Sequence, residues 1–147
     1  MVSKVNIKKL NDKAVVPSYG SEFSAGADLY ACAEEPIVIE AGKTILVHTG
    51  IAMEIPAGYV GLVFARSGLA SKKGLAPANK VGVIDSDYRG EIFFSAANIS
   101  DEDYTVSPGE RVAQMMIMPV LTANFIVCDE LDETERGAGG FGSTGKI

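Results

Sequence analysis

The sequence predicts an all-β domain of the sandwich, jelly-roll or small-barrel kind. Short runs rich in β-branched and aromatic residues recur along the chain, and turn-forming residues separate them. No long segment holds the 3.6-residue apolar period of an amphipathic helix. The composition also changes near the end, first to charged and then to glycine-rich, which predicts an arm leaving a compact body.

In chain order, the predicted strands begin with Val5–Ile7, inside the polar-alternating opening Met1–Leu10. Ile37–Ile39 and Thr44–Ile55 follow, then Tyr59–Ala65, Val81–Ile84, Glu91–Ile99, Tyr104–Val106, Val112–Val120 and Phe125–Val127. Ala41-Gly42, Pro56-Ala57-Gly58 and Pro108-Gly109 supply turns. The Pro-Gly pair suits a type II turn, whose third position needs a positive φ. Only Ser67–Leu75 reads as a brief helix. Val112–Leu121 is apolar at nearly every position rather than at alternate ones, so cover is expected on both its faces. A second subunit or a second sheet could supply that cover, and the oligomer is the favoured expectation. Gln114 is the polar exception in this run and needs a partner or a ligand. The division expected is a body over residues 1–128 and an arm over 129–147.

The length, 147 residues, suits one domain with a sizeable core. Thirteen basic against 19 acidic residues leave a net charge of -6, which argues against a general nucleic-acid or membrane-surface binder. A polyphosphate ligand would need local positive charge or a metal. No membrane span or secretory leader is expected, and two isolated cysteines, Cys32 and Cys128, point to a reduced cytoplasmic protein. The single histidine, His48, reads as a strand-surface residue, and a zinc site of the Cys/His type is excluded.

Three internal clusters and the tail carry chemistry. Ala25-Gly-Ala-Asp-Leu-Tyr30 places Asp28 in a loop-like setting. Ala65-Arg-Ser-Gly-Leu-Ala70 offers Arg66 and Ser67 to an anion or to solvent. Gly82-Val-Ile-Asp-Ser-Asp-Tyr-Arg-Gly-Glu91 gathers Asp85, Asp87, Arg89 and Glu91 around Tyr88, in an expected hairpin. A carboxylate there could act as a general base, worth roughly 10²–10⁴ in rate, or help hold magnesium; the plainer reading is a self-capped turn. Residue chemistry does not choose between Asp85 and Asp87. In Arg136-Gly-Ala-Gly-Gly-Phe-Gly-Ser-Thr-Gly145, a guanidinium, a ring and two hydroxyls could each bind part of a nucleotide, as a closing lid. Gly140–Lys146 fits a phosphate-binding P-loop spacing, but Ile147 stands where that loop needs Ser or Thr.

These four segments, with Gly109-Glu-Arg-Val-Ala-Gln114, resemble the five ordered motifs of the trimeric dUTP diphosphatases, from the first strand to the tail. The resemblance implies a distorted jelly-roll-like β-barrel with a glycine-rich C-terminal arm, assembled as a homotrimer with sites shared at its interfaces. The implied reaction converts dUTP and water to dUMP and pyrophosphate, keeping uracil out of DNA and supplying dUMP for dTMP synthesis. By that resemblance Asp85 is the general base, and Tyr88 lies against the deoxyribose. Asn79, Val83 and the Val81–Ile84 backbone meet uracil. Arg66, Ser67, Gly68 and Gln114 hold phosphates, and Arg136, Phe141, Gly142, Ser143 and Thr144 close over the nucleotide. Mg²⁺ would be chelated mainly by the triphosphate, with Asp28 acting on it through water or shaping the site. The expected partners are dUTP and other copies of this chain, with no nucleic acid or membrane. The expected location is cytoplasmic, or nuclear for a eukaryotic or viral source. A dCTP deaminase and a non-catalytic nucleotide sensor are the rival readings.

Overall fold

The computed structural model describes residues 4–140. Its strands, in chain order, are β1 (Asn6–Lys9), β2 (Ser18–Tyr19), β3 (Ala27–Tyr30), β4 (Ile37–Ile39), β5 (Thr44–His48), β6 (Ile51–Glu54) and β7 (Tyr59–Ala65). After a short helix α1 (Ser67–Lys73) come β8 (Leu75–Pro77), β9 (Gly82–Ile84), β10 (Phe93–Asn98), β11 (Tyr104–Val106) and β12 (Arg111–Pro119). They form a five-stranded sheet β2-β3-β12-β7-β9, a three-stranded sheet β5-β10-β8, and the pairs β1-β6 and β4-β11. Every pairing is antiparallel. The all-β expectation holds.

One core joins these sheets. Leu29, Ile39, Val47, Ile51, Leu75, Phe94, Val106 and Val112 come from eight different strands, and all are fully buried. Burial of each such side chain contributes about 1.5–3 kcal/mol before the opposing chain entropy. Asn98 is buried among them because its amide is satisfied. It donates to the carbonyls of Ile39 (2.9 Å) and Glu102 (2.7 Å) and accepts from the Ser100 N–H and hydroxyl.

Several expectations are corrected. Thr44–Ile55 is two strands, because Gly50 adopts φ +67° and turns the chain between sheets: β5 pairs with β10, and β6 with β1. A Cβ at Gly50 would lie 2.7 Å from Ala14 Cβ, so the turn is also closely packed. The segment Gly82–Glu91 is not a hairpin. β9 pairs with β7, and β10 pairs with β5 and β8, so the intervening turn is a crossover between two sheets. Ala27–Tyr30 is a strand rather than a loop, with Ala27 and Leu29 buried and Asp28 and Tyr30 half-buried. Phe125–Val127 forms no strand. Among the described residues no strand pairs with it, and Phe125 and Val127 are 93% and 99% exposed. Among the described residues regular structure ends at Pro119, ahead of the composition change at Asp129. Ser67–Leu75 is helical as far as Lys73, where Gly74 takes φ 64° and ends it.

The non-alternating run lies in β12, the middle strand of the larger sheet. A register shift between Arg111 and Ala113 lets consecutive Val112 and Ala113 both be buried. Toward its end the strand loses cover, and Met118 is 41% exposed. The chain alone therefore covers only the first part of this run on both faces.

Candidate active site

A cleft of about 810 Å³ opens beside the middle of the five-stranded sheet. Its walls come from β3 (Asp28), the end of β7 with the start of α1 (Arg66, Ser67, Gly68), the Lys80 turn, and β12 (Arg111, Gln114). The strand order explains the assembly. β12 lies between β3 and β7, with Gln114 opposite both Asp28 and Phe64. Residues distant in sequence therefore meet on one sheet.

Asp28 ties the cleft together. Its Oδ1 accepts from Arg66 Nε at 2.9 Å, and its Oδ2 from Arg111 Nη1 at 3.2 Å. The carboxylate side chain is only 13% exposed, so its neighbours rather than water compensate its charge. Arg66 Nη1 also donates to the Arg111 carbonyl. Gln114 Nε2 donates to the Ala65 carbonyl at 2.9 Å, the partner that a polar residue within an apolar strand requires. Gly26 leaves room for this amide, since a Cβ there would lie 2.6 Å from Gln114 Oε1.

A second cavity, of about 210 Å³, is lined by Val83, Ile84, Asp85, Tyr88, Glu91 and Phe93. Asp85 forms no side-chain hydrogen bond or ion pair among the described residues, and so presents an uncommitted carboxylate. Asp87 lines a different depression, with Ser86, Arg89 and Glu54. Tyr88 is held in place: its hydroxyl donates to the Glu91 carbonyl at 3.0 Å, and a Cβ at Gly90 would collide with its ring and phenol oxygen. The Glu91 carboxylate accepts the Gly50 N–H at 2.7 Å and meets His48 Nδ1 at 3.0 Å. His48 is otherwise a strand-surface residue, edge-on to Phe93. β9 ends its sheet, so one edge of Gly82–Ile84 has no strand partner among the described residues.

Residues 12–145 match the profile of the family described as dUTPase. The chain belongs to the dUTPase family. The deoxyuridine 5'-triphosphate nucleotidohydrolase of Desulfitobacterium hafniense is 53% identical over 136 residues, covering 91% of this chain and 90% of the relative. That of Syntrophotalea carbinolica is 49% identical over 141 residues, 96% of each chain. Among solved structures, the Staphylococcus bacteriophage 80alpha dUTPase with dUPNHPP superposes with a TM-score of 0.89 at 29% identity, covering 98% of this chain and 99% of that one.

Within this dUTPase-family chain, the sequence-derived site residues fall into separate groups. Asp28, Arg66, Ser67, Gly68 and Gln114 share the large cleft, whereas Val83, Asp85 and Tyr88 share the small cavity. Asn79 is exposed in the turn between β8 and β9 and lines neither. Arg136 is exposed, its Nε donating to the Gly139 carbonyl at 2.8 Å. Phe141, Gly142, Ser143 and Thr144 lie outside the described residues. Sequence reasoning missed Arg111 and Lys80 as cleft residues. Arg111 stood in a quoted motif, but only the β3–β12 pairing reveals its contact with Asp28.

Behind Arg111, the turn that leads into β12 is also tied down. Tyr104 Oη donates to Glu110 Oε1 at 2.5 Å, and Glu110 Oε2 accepts the Ser107 N–H. Burial, and then the bond to Glu110, pushes the Tyr104 phenol up to about 12. Among the described residues no three His, Cys, Asp or Glu side chains gather to hold a metal. The one carboxylate in the cleft already has an arginine on each oxygen. This donor set fits a magnesium ion brought in by phosphates better than one caged by protein.

Proposed function

We propose that this chain is a dUTP diphosphatase, hydrolysing dUTP to dUMP and pyrophosphate at sites shared between the subunits of a homotrimer. The observation that carries this reading is the division of the chemistry within one chain. Phosphate-binding groups line one cleft, while an uncommitted carboxylate beside a fixed tyrosine lines another cavity. Each is half of a nucleotide site, and a neighbouring copy would supply the other half. The open end of β12 and the exposed Phe125–Val127 segment give such copies apolar surface to bury.

In this reading Arg66, Ser67, Gly68 and Gln114 hold the phosphate chain. Asp28 is a positioning residue, which fixes both guanidiniums and leaves their remaining N–H groups for phosphate oxygens. Asp85 takes the proton of the water that attacks the α-phosphate. The new bond joins that water's oxygen to the α-phosphorus, and the bond to the α,β-bridging oxygen breaks, releasing pyrophosphate. Uracil pairs with Asn79 and the free edge of β9 around Val83, and Tyr88 closes off the space of a ribose 2′-hydroxyl. Arg136 with Phe141, Gly142, Ser143 and Thr144 closes the site and excludes water. Bound magnesium would neutralise phosphate charge and polarise the α-phosphoryl group.

We place the protein in the cytoplasm; among the described residues no helix is long and apolar enough to cross a membrane. The deciding experiment measures pyrophosphate release from dUTP, dCTP, dTTP and UTP with magnesium. Strong preference for dUTP is expected. Equal release across the panel, no release from dUTP, or deamination of dCTP would overturn the reading.

A further inference from the structure

Lys80 is the only non-glycine residue among the described ones with a positive φ, at 67°. It closes the turn after β8, donating its N–H to the Pro77 carbonyl at 3.0 Å, while the Val81 N–H bonds the Asn79 carbonyl. Glycine or asparagine would adopt this left-handed conformation at lower cost than lysine. The turn by itself therefore gives no reason for a lysine here, and an unfavourable residue held in such a conformation points to a task for its side chain.

Its position supplies one. Lys80 lines the large cleft together with Arg66, Ser67, Gly68 and Gln114, and its ammonium makes no hydrogen bond or ion pair among the described residues. The charged residues lining that cleft are Asp28, Arg66, Lys80 and Arg111. Asp28 is bound to both arginines. The cleft thus holds a surplus of two positive charges, and without Lys80 a surplus of one. The whole chain carries -6, a field that repels a polyphosphate, so this local surplus sets how readily such an anion enters.

We infer that Lys80 is a further substrate-binding residue, an uncommitted cation that draws in the triphosphate chain and binds it beside Arg66. This rests on the proposed function and adds to it a residue that none of the recognised motifs assigned. An ammonium acts here as a mobile point charge, complementing the fixed guanidiniums that Asp28 orients.

The test uses the full-length protein and a non-hydrolysable α,β-imido analogue of dUTP, with deoxyuridine as the uncharged control. In Lys80→Gln the analogue should bind about fivefold more weakly at low ionic strength, with the difference shrinking as salt is added. Deoxyuridine binding and oligomer mass should not change, and Lys80→Arg should restore most of the affinity. Lys80→Gly should be more heat-stable than the parent yet share the weakened analogue binding, which separates a binding role from a structural one. Unchanged analogue affinity in Lys80→Gln at low salt, an equal loss for deoxyuridine, or a change of oligomer mass would overturn the inference while leaving the proposed function intact. Failure of the parent protein to bind the analogue would overturn both.

Discussion

Gly26→Ala tests whether the large cleft depends on the placement of Gln114. The added Cβ would lie 2.6 Å from Gln114 Oε1 and 3.2 Å from its Cβ and Cδ. Gly26 is not among the positive-φ glycines, so the effect is one of space rather than backbone strain. The Gln114 Cβ is fixed by β12, which pairs with a strand on each side. Relief therefore comes mainly from swinging the amide away. That breaks the 2.9 Å bond to the Ala65 carbonyl, worth about 1 kcal/mol. An off-rotamer side chain adds about 0.5–1.5 kcal/mol, and the residual crowding is of the kind that costs about 1–3 kcal/mol. A total loss of about 2.5–5.5 kcal/mol is expected in urea unfolding, with KM for dUTP raised about tenfold as the amide leaves the large cleft. The decisive comparison is Gly26→Ala combined with Gln114→Ala. Truncating the glutamine removes the two atoms crowded at its far end, so most of the stability lost to Gly26→Ala should return, while KM stays high. If Gly26→Ala unfolds like the parent, or if the second substitution merely adds its own loss, the packing argument is wrong.

Other outcomes follow from the same geometry. Asp85→Asn should abolish turnover while retaining dUTP binding, and a chain ended at Glu135 should lose at least roughly tenfold in turnover if the tail acts as the proposed lid. Mixing and reassembling these two impaired chains should raise activity above that of either alone if sites are shared between subunits, and no gain would refute sharing. Asn98→Ala removes four hydrogen bonds, one of them to the carbonyl of the buried Ile39, so denaturant unfolding should show a loss of about 3 kcal/mol. Because the folded-state value of Tyr104 is raised from 10.0 to about 12, its neutral form favours the fold; that contribution is complete below about pH 10 and is lost as pH rises to about 12. Unfolding midpoints across this window should fall less steeply in Tyr104→Phe, and an identical slope would refute the assignment.

What the sequence made legible was local, and what it hid was pairing. Tyr59–Ala65 and Ile37–Ile39 have the predicted bounds, because β-rich residues bounded by turn signals carry their own information. β2, β3 and β8 escaped because none contains a β-branched residue and small or polar residues flank them. Phe125–Val127 shows the converse: strand composition without a neighbour to pair with yields no strand. The site follows the same rule. Motif residues were legible by type, yet nothing local shows that Asp28 bonds to Arg111, 83 positions away.

The separation of Asp85 from Asp87 is also topological. Residue chemistry left them equivalent, but the crossover from β9 to β10 places Asp85 in the cavity with Tyr88 and Asp87 in a depression with Arg89. The turn at Ser86 and Asp87 thus does what side-chain type could not. One carboxylate shares a cavity with the tyrosine that Gly90 makes room for, and the other lines a separate depression. Moving the acid by one position, as in Asp85→Ser with Ser86→Asp, keeps the composition and net charge of the turn. It should abolish turnover if placement rather than local charge makes Asp85 the base, and retained turnover would mean that any carboxylate in this turn suffices.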